Sequence, residues 1–408
     1  MINIISLGRR GCIAAAFSLA IIPFASFAGM YDLTVDNVII DTGNFKKQGI
    51  GYNGASPGPV LRLQEGEDVT INVTNNLDEM TSIHWHGLIL PYQQDGVPTI
   101  SYDGIKPGET FTYNFPIVQS GTYWFHSHSG FQEPDGAYGA IVIKSKKREP
   151  FRYDREYVVQ LTDKHPHAGA RIMRNLKTMP DYYNRQQQTI FDFFNDSAAN
   201  GFGATISDRM AWGDMRMMPA DVEDLQGFTP LINGKGPSQN WTGLFKPGER
   251  VRLRFINSSA MTYFDIRIPG LKMTVVSADG NNVQPVKVDE FRIAVAETYD
   301  VIVRPTDDKA YTIFAASMGR SAFGRGTLAP RDGMVGDVPD LKERPLLTMA
   351  DMGMDHANMA GMDHSKMDMG AGKMAGMDHS KMGMGAGKMA GMDHSKMGPQ
   401  SDPFYASG

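Results

Sequence analysis

Two stretches of this chain, residues 31–145 and 228–318, follow the same strand-and-turn pattern. In the first, Val69-Thr70-Ile71-Asn72-Val73 and Phe111-Thr112-Tyr113-Asn114-Phe115 alternate with period two. Such alternation sends successive side chains to opposite faces of a sheet. Gly and Pro mark the turns, as in Ser56-Pro57-Gly58-Pro59 and Lys106-Pro107-Gly108, and Tyr138 to Ile143 reads as a closing strand. In the second stretch, Asn233-Gly234, Lys246-Pro247-Gly248-Glu249 and Val251 to Asn257 echo Asn53-Gly54, Gln64-Glu65-Gly66-Glu67 and Val69 to Asn75. Glu297-Thr298-Tyr299 echoes Glu109-Thr110-Phe111, and Tyr311-Thr312-Ile313-Phe314 echoes Thr122 to Phe125. Duplication of one β-unit explains this, and it predicts an all-β chain of two tandem Greek-key β-sandwiches.

The first copy carries His84-Trp85-His86 and, 42 residues on, His126-Ser127-His128. On a strand each pair places two imidazoles on one face, and two such strands can bring four together. Neutral imidazole is a favoured ligand for copper, zinc and iron, so His84, His86, His126 and His128 are metal-ligand candidates. In the second copy the echo puts Ala315 and Ser317 at the places of His126 and His128, with Ile266-Arg267-Ile268 near that of the first pair. The second unit is thus expected to keep the scaffold without the ligands and to serve spacing and packing.

Formal net charge is −5, which offers no broad basic field for nucleic acid. Residues 1–28 read as an export signal: Arg9-Arg10, an apolar run from Cys12 to Phe24, and Ser26-Phe27-Ala28 before a cleavage point after Ala28. The arginine pair fits a twin-arginine signal or the basic end of a Sec signal. Cleavage would remove Cys12, the sole cysteine, and leave neither structural disulfides nor a transmembrane anchor in the mature chain. The expected division is 29–147 for the first sandwich, 148–335 for the second with an insertion at 163–227, and 336–408 for a tail. Within the insertion, Arg185 to Phe194 and Pro219 to Asp224 read as partly helical. Met210, Met215, Met217 and Met218 cluster there with Trp212, as packing or as soft-metal contacts.

Residues 349–397 hold 14 of the 27 methionines, and Met-Asp-His-Ser-Lys-Met recurs there every 15 residues. Such a segment buries too little apolar surface to offset ordering entropy, so disorder without metal is expected. Thioether and imidazole ligands on a flexible chain suit Cu(I). The auxiliary copper ligands are Met352, Met354, His356, Met359, Met362, His364, Met367, Met369, Met374, Met377, His379, Met382, Met384, Met389, Met392, His394 and Met397.

Ile83 to Gly87, Asp95-Gly96-Val97-Pro98 and Gly121 to Gly130 resemble the first domain of a multicopper oxidase, in the periplasmic copper-resistance protein A branch. The resemblance runs from about Tyr31 to the tail. It implies cupredoxin-like sandwiches, with His84 as a type 2 copper ligand and His86, His126 and His128 as type 3 ligands. It also implies a third domain that completes a trinuclear copper cluster and carries a type 1 site. Neither a His-X-X-His-X-His cluster nor a His-Cys-His run occurs in this sequence, so a fragment lacking those ligands is expected. Asp95 is a candidate for proton supply, or a turn residue in Asp-Gly. The implied activity is Cu(I) oxidation coupled to dioxygen reduction in periplasmic copper resistance. Copper ions, dioxygen and other periplasmic copper-resistance proteins would be its partners. The alternative is non-catalytic copper sequestration by the tail.

Overall fold

The computed structural model describes residues 29–185 and 187–352. The export signal and the tail ligands from Met354 to Met397 lie outside the described residues. Among the described residues, no helix is long and apolar enough to cross a membrane.

Eight strands form the first sandwich: β1 (Gly29–Asp41), β2 (Lys46–Tyr52), β3 (Leu61–Gln64), β4 (Asp68–Asn75), β5 (His84–His86), β6 (Thr110–Pro116), β7 (Gly121–His126) and β8 (Tyr138–Lys144). They make two sheets, ordered β2-β1-β4-β6 and β3-β8-β7-β5. The second sandwich has eleven strands. These are β9 (Arg155–Lys164), β10 (Thr229–Ile232), β11 (Trp241–Leu244), β12 (Val251–Asn257), β13 (Phe264–Arg267), β14 (Met273–Ala278), β15 (Asn281–Val288), β16 (Glu290–Ile293), β17 (Thr298–Val303), β18 (Tyr311–Ser317) and β19 (Phe323–Ala329). Their sheets are ordered β10-β9-β12-β17-β14-β15 and β11-β19-β18-β13-β16. The predicted all-β architecture of two tandem sandwiches is what the chain adopts.

Without β14, β15 and β16, the second sandwich maps onto the first strand for strand, β9 on β1 through to β19 on β8. The parallel pairings coincide as well: β1 with β4 and β9 with β12, β3 with β8 and β11 with β19. Side chains that fix the turns repeat too. Asn53 and Asn233 both adopt positive φ, 51° and 49°. Each side-chain carbonyl accepts a strand N–H, and each amide nitrogen donates to a carbonyl two residues earlier on that strand. Buried Asn75 and Asn257 each donate to two backbone carbonyls and accept the N–H two residues on.

The pairing corrects the sequence alignment by one residue. His84 lies opposite His126 and His86 opposite Trp124, while Trp85 and Phe125 face the core. In the second copy Asp265 lies opposite Ala316 and Arg267 opposite Phe314, while Ile266 and Ala315 face the core. Gly139 opposite Phe125 matches Gly324 opposite Ala315. The counterparts of His126 and His128 are therefore Ala316 and Met318, not Ala315 and Ser317. A shift of one residue turns every side chain to the other face, so Ala315 cannot occupy a ligand position. Asp265 and Arg267 stand where His84 and His86 stand.

The insertion is more helical than expected: α1 (Gly169–Thr178), α2 (Ile190–Asn200) and α3 (Phe202–Asp214). α2 begins after Thr189, whose hydroxyl and Asp192 form a capping box, so the helix expected from Arg185 starts later. Pro219 to Asp224 forms turns, not helix. Trp212 is buried while Met210 is 64% exposed.

The sandwiches join along β7. The Thr122 hydroxyl donates to Asp300 at 2.7 Å and accepts from Arg254 at 2.8 Å. Arg252 pairs with Asp300 at 2.6 Å. All four side chains are buried, and paired charges satisfy one another where a lone one would be costly. Beside them Trp124, Tyr138 and Ala140 pack on Ile256 of the second sandwich.

Candidate metal centre

His84, His86 and His126 converge because β5 and β7 are antiparallel neighbours with Trp85 and Phe125 anchored in the core, and His128 joins them from the loop just after β7. Burying these aromatics forces the alternate residues outward together. The His84 ring centroid lies 5.5 Å from His86, 5.5 Å from His126 and 4.6 Å from His128. Ligand nitrogens of His84, His126 and His128 all fall within 4.8 Å of one another. His86 Nδ1 faces His126 Nε2 at 3.3 Å. Trp124 stacks on His126 at 4.1 Å and 13°, and on His86 at 4.9 Å and 26°.

Two rings are held by their far nitrogens. His84 Nδ1 donates to the Asp95 carbonyl at 2.9 Å and lies 3.3 Å from the Asp95 carboxylate. His126 Nδ1 donates to Glu133 at 2.9 Å. A bond donated from Nδ1 fixes the tautomer and puts the lone pair on Nε2, the arrangement that prepares histidine for a metal, and on His126 that lone pair meets His86 Nδ1. Gly96 makes the Asp95 contact possible. At its φ of 79° a Cβ would sit 1.6 Å from the Ile83 carbonyl oxygen.

Burial lowers the His84 imidazole, against the raising effect of the Asp95 carbonyl. Burial, reinforced by neighbouring histidines, lowers His86 and His128 to about 4. These three rings are neutral at neutral pH, the form that binds metal. Burial alone would raise the Glu133 carboxyl, but the hydrogen bond from His126 and nearby positive charge hold it below its ordinary value. An all-imidazole donor set fits copper.

Glu133 and Gln132 carry roles that the sequence reading missed. Gln132 is buried and accepts from Thr81 at 2.7 Å and Ser127 at 2.8 Å. Its amide donates to Glu79 and to the Met80 carbonyl, both at 2.9 Å. His128 is tied in turn through its backbone N–H to Ser82 at 2.9 Å. The turn from Gly130 to Gly136 folds back on β7, and a carboxylate seven residues beyond His126 reaches its ring. A third pair, His165-Pro166-His167, has the same His-X-His spacing and was also missed. It follows β9 and stands apart from these four rings.

Family models described as multicopper oxidase match residues 33–148 and 175–329. Copper resistance protein A of Escherichia coli is 55% identical over 361 residues, which cover 86% of this chain. The chain belongs to the multicopper oxidase family. It spans 59% of the length of that curated relative. Among solved multicopper oxidases, Fet3p, described as functioning in iron import, superposes with a TM-score of 0.60 at 23% identity, over 78% of this chain and 55% of that one. The blue copper oxidase of Nitrosomonas europaea gives a TM-score of 0.56 at 24% identity, over 79% of this chain and 97% of that one. At these identities the solved structures speak for the fold alone.

Proposed function

We propose that these two sandwiches supply one ligand-bearing wall of a copper centre that oxidises Cu(I) and reduces dioxygen in periplasmic copper resistance. The observation that carries this reading is the convergence of four imidazoles, two of them pinned at Nδ1 by Asp95 and Glu133. Bound copper would pass electrons to dioxygen: four Cu(I) substrate ions yield four electrons, and with four protons one dioxygen becomes two waters. In this reading His84 serves the type 2 ion, and His86, His126 and His128 serve the type 3 pair. Asp95, 36% exposed beside His84, would move protons between solvent and the site. Ligands from outside the two sandwiches complete the centre. The Met- and His-rich tail would collect Cu(I) for it, in the periplasm after removal of the export signal.

A sequestering role without turnover is favoured by a different observation, the concentration of Met and His in the tail. One experiment tests whether the four histidines hold copper apart from the tail. The full chain is loaded with copper under nitrogen, exposed to air and dialysed. Copper is then counted, and the Cu(II) spectrum is examined for coupling to imidazole nitrogen. Joint replacement of His84 and His126 by Ala should lower the copper count and change the nitrogen-coupled spectrum, while the copper held by the tail's Met and His residues stays. An unchanged spectrum in that variant would sink the copper-centre reading.

A further inference from the structure

The third histidine pair lines a cavity of about 310 Å³ at the join of β9, α1 and the loop after β12. His167 shares its wall with Met173 of α1 and with Met261. The two methionines are 40% and 37% exposed, so their thioethers are reachable from solvent rather than sealed in a core. The rest of the lining is mainly apolar, including Phe131, Ile172 and Leu176.

Hydrogen bonds decide what this wall can offer. Asp163 reaches the cavity, but its oxygens already accept from the N–H groups of Ala260, Met261 and Thr262 and from the Thr262 hydroxyl. Lys47 is engaged by Asp135 at 2.8 Å and by the His167 carbonyl at 3.2 Å. His165 is engaged too: its Nδ1 accepts the His167 backbone N–H at 3.0 Å. Tyr183 oxygen accepts from Asn175 at 2.8 Å and lies 2.9 Å from His167 Nδ1. In the tautomer whose Nδ1–H donates to Tyr183, the Nε2 lone pair of His167 is available to a cation, as Asp95 leaves Nε2 on His84. One imidazole nitrogen and two thioethers then remain, with no unengaged carboxylate. A hard divalent cation needs oxygen ligands, whereas this set suits a soft monovalent one.

We propose that His167, Met173 and Met261 bind a single soft monovalent cation, Cu(I) or Ag(I), at this cavity, with His165 and Tyr183 positioning His167. The site is separate from the four-histidine wall, and it stands or falls independently of the oxidase reading.

Ag(I) alone is the probe, because peroxide does not change its oxidation state. The full chain is titrated with Ag(I), then treated briefly with hydrogen peroxide or diethyl pyrocarbonate, and modification is read peptide by peptide. Met173 and Met261 should become protected from oxidation, and His167 from acylation, at one shared midpoint. His167→Ala should shift the methionine midpoint at least tenfold and leave the His84, His126 and tail peptides unmoved. Tyr183→Phe should shift it less. Met173→Leu, on an exposed helix face where folding is not at stake, should weaken protection of His167 and Met261 together. Unlinked midpoints, or methionine protection that survives His167→Ala, would overturn the proposal. Loss of protection at His84 and His126 alone bears only on the oxidase reading.

Discussion

The two sandwiches place the same strand pair at the same point and put different chemistry on it. In the first, β5 and β7 present His84, His86 and His126, the last two stacked on Trp124. In the second, β13 and β18 present Asp265, Arg267, Ala316 and Phe314. There the Asp265 carboxylate holds Arg292 at 2.8 Å and also binds Arg320. The scaffold supplies positions, and the residues at four of them decide between a candidate metal wall and an internal ion pair. Strand order, buried asparagines and turn glycines are common to both, so they answer for folding and not for function.

The sharpest break in the comparison is His126→Ala. It should cost copper at the first sandwich more than about 100-fold in affinity, beyond the usual effect of removing only a supporting residue. Near-ultraviolet circular dichroism should remain that of the parent, and native mass spectrometry would count the copper. The matching change in the second sandwich, Asp265→Ala, should leave that copper intact and instead destabilise the fold by about 3 kcal/mol, because Arg320 stays buried without its carboxylate. Urea titration measures this, and a stability equal to the parent's would show that the ion pair is dispensable.

That loss depends on acid in a defined direction. Burial would raise the Asp265 carboxyl, but hydrogen bonds from Arg292 and Arg320 hold it below the ordinary carboxylate range. Its contribution is therefore fully present above about pH 4 and fades as pH falls through the lower folded-state value. The stability gap between the parent and Asp265→Asn should narrow over that range. A gap that widened on acidification would contradict the assignment.

Smaller effects test how far the copies are equivalent. Asn75→Ala and Asn257→Ala each remove two hydrogen bonds to backbone carbonyls and one from a backbone N–H, and each should cost about 2 kcal/mol. A difference well above 1 kcal/mol would mean that the two turns are not energetic equivalents. Glu133→Gln keeps the shape but weakens the hold on His126 Nδ1. About a tenfold loss of copper affinity is expected, with thermal stability nearly unchanged.

Much of this was legible because period-two alternation and turn residues are local signals. Val69 to Val73 falls inside β4 and Phe111 to Phe115 inside β6, and the His84–His86 spacing translates directly into one face of β5, whereas β7 ends at His126 and His128 joins the group from the loop beyond it. The one-residue misalignment of Ala315 has a physical source. Composition around Phe314 matches Phe125, but only the cross-strand partner reveals which face a residue takes. Glu133 was invisible because its contact depends on a turn that returns to its own strand. The later start of α2 was readable from Thr189 and Asp192, a pair spaced as a capping box. The third histidine pair was in plain view, but its neighbours Met173, Tyr183 and Met261 are gathered only by folding.

Trp124 has a practical consequence. Its indole lies flat against two candidate ligands while its surroundings include Ile256 of the other sandwich. The chain has four tryptophans, and this one reads two events at once. A paramagnetic ion seated on those imidazoles would quench its emission, and loosening of the joint would shift its colour. The protein thus carries its own optical gauge, able to tell an emptied site from a slipped domain without any label attached.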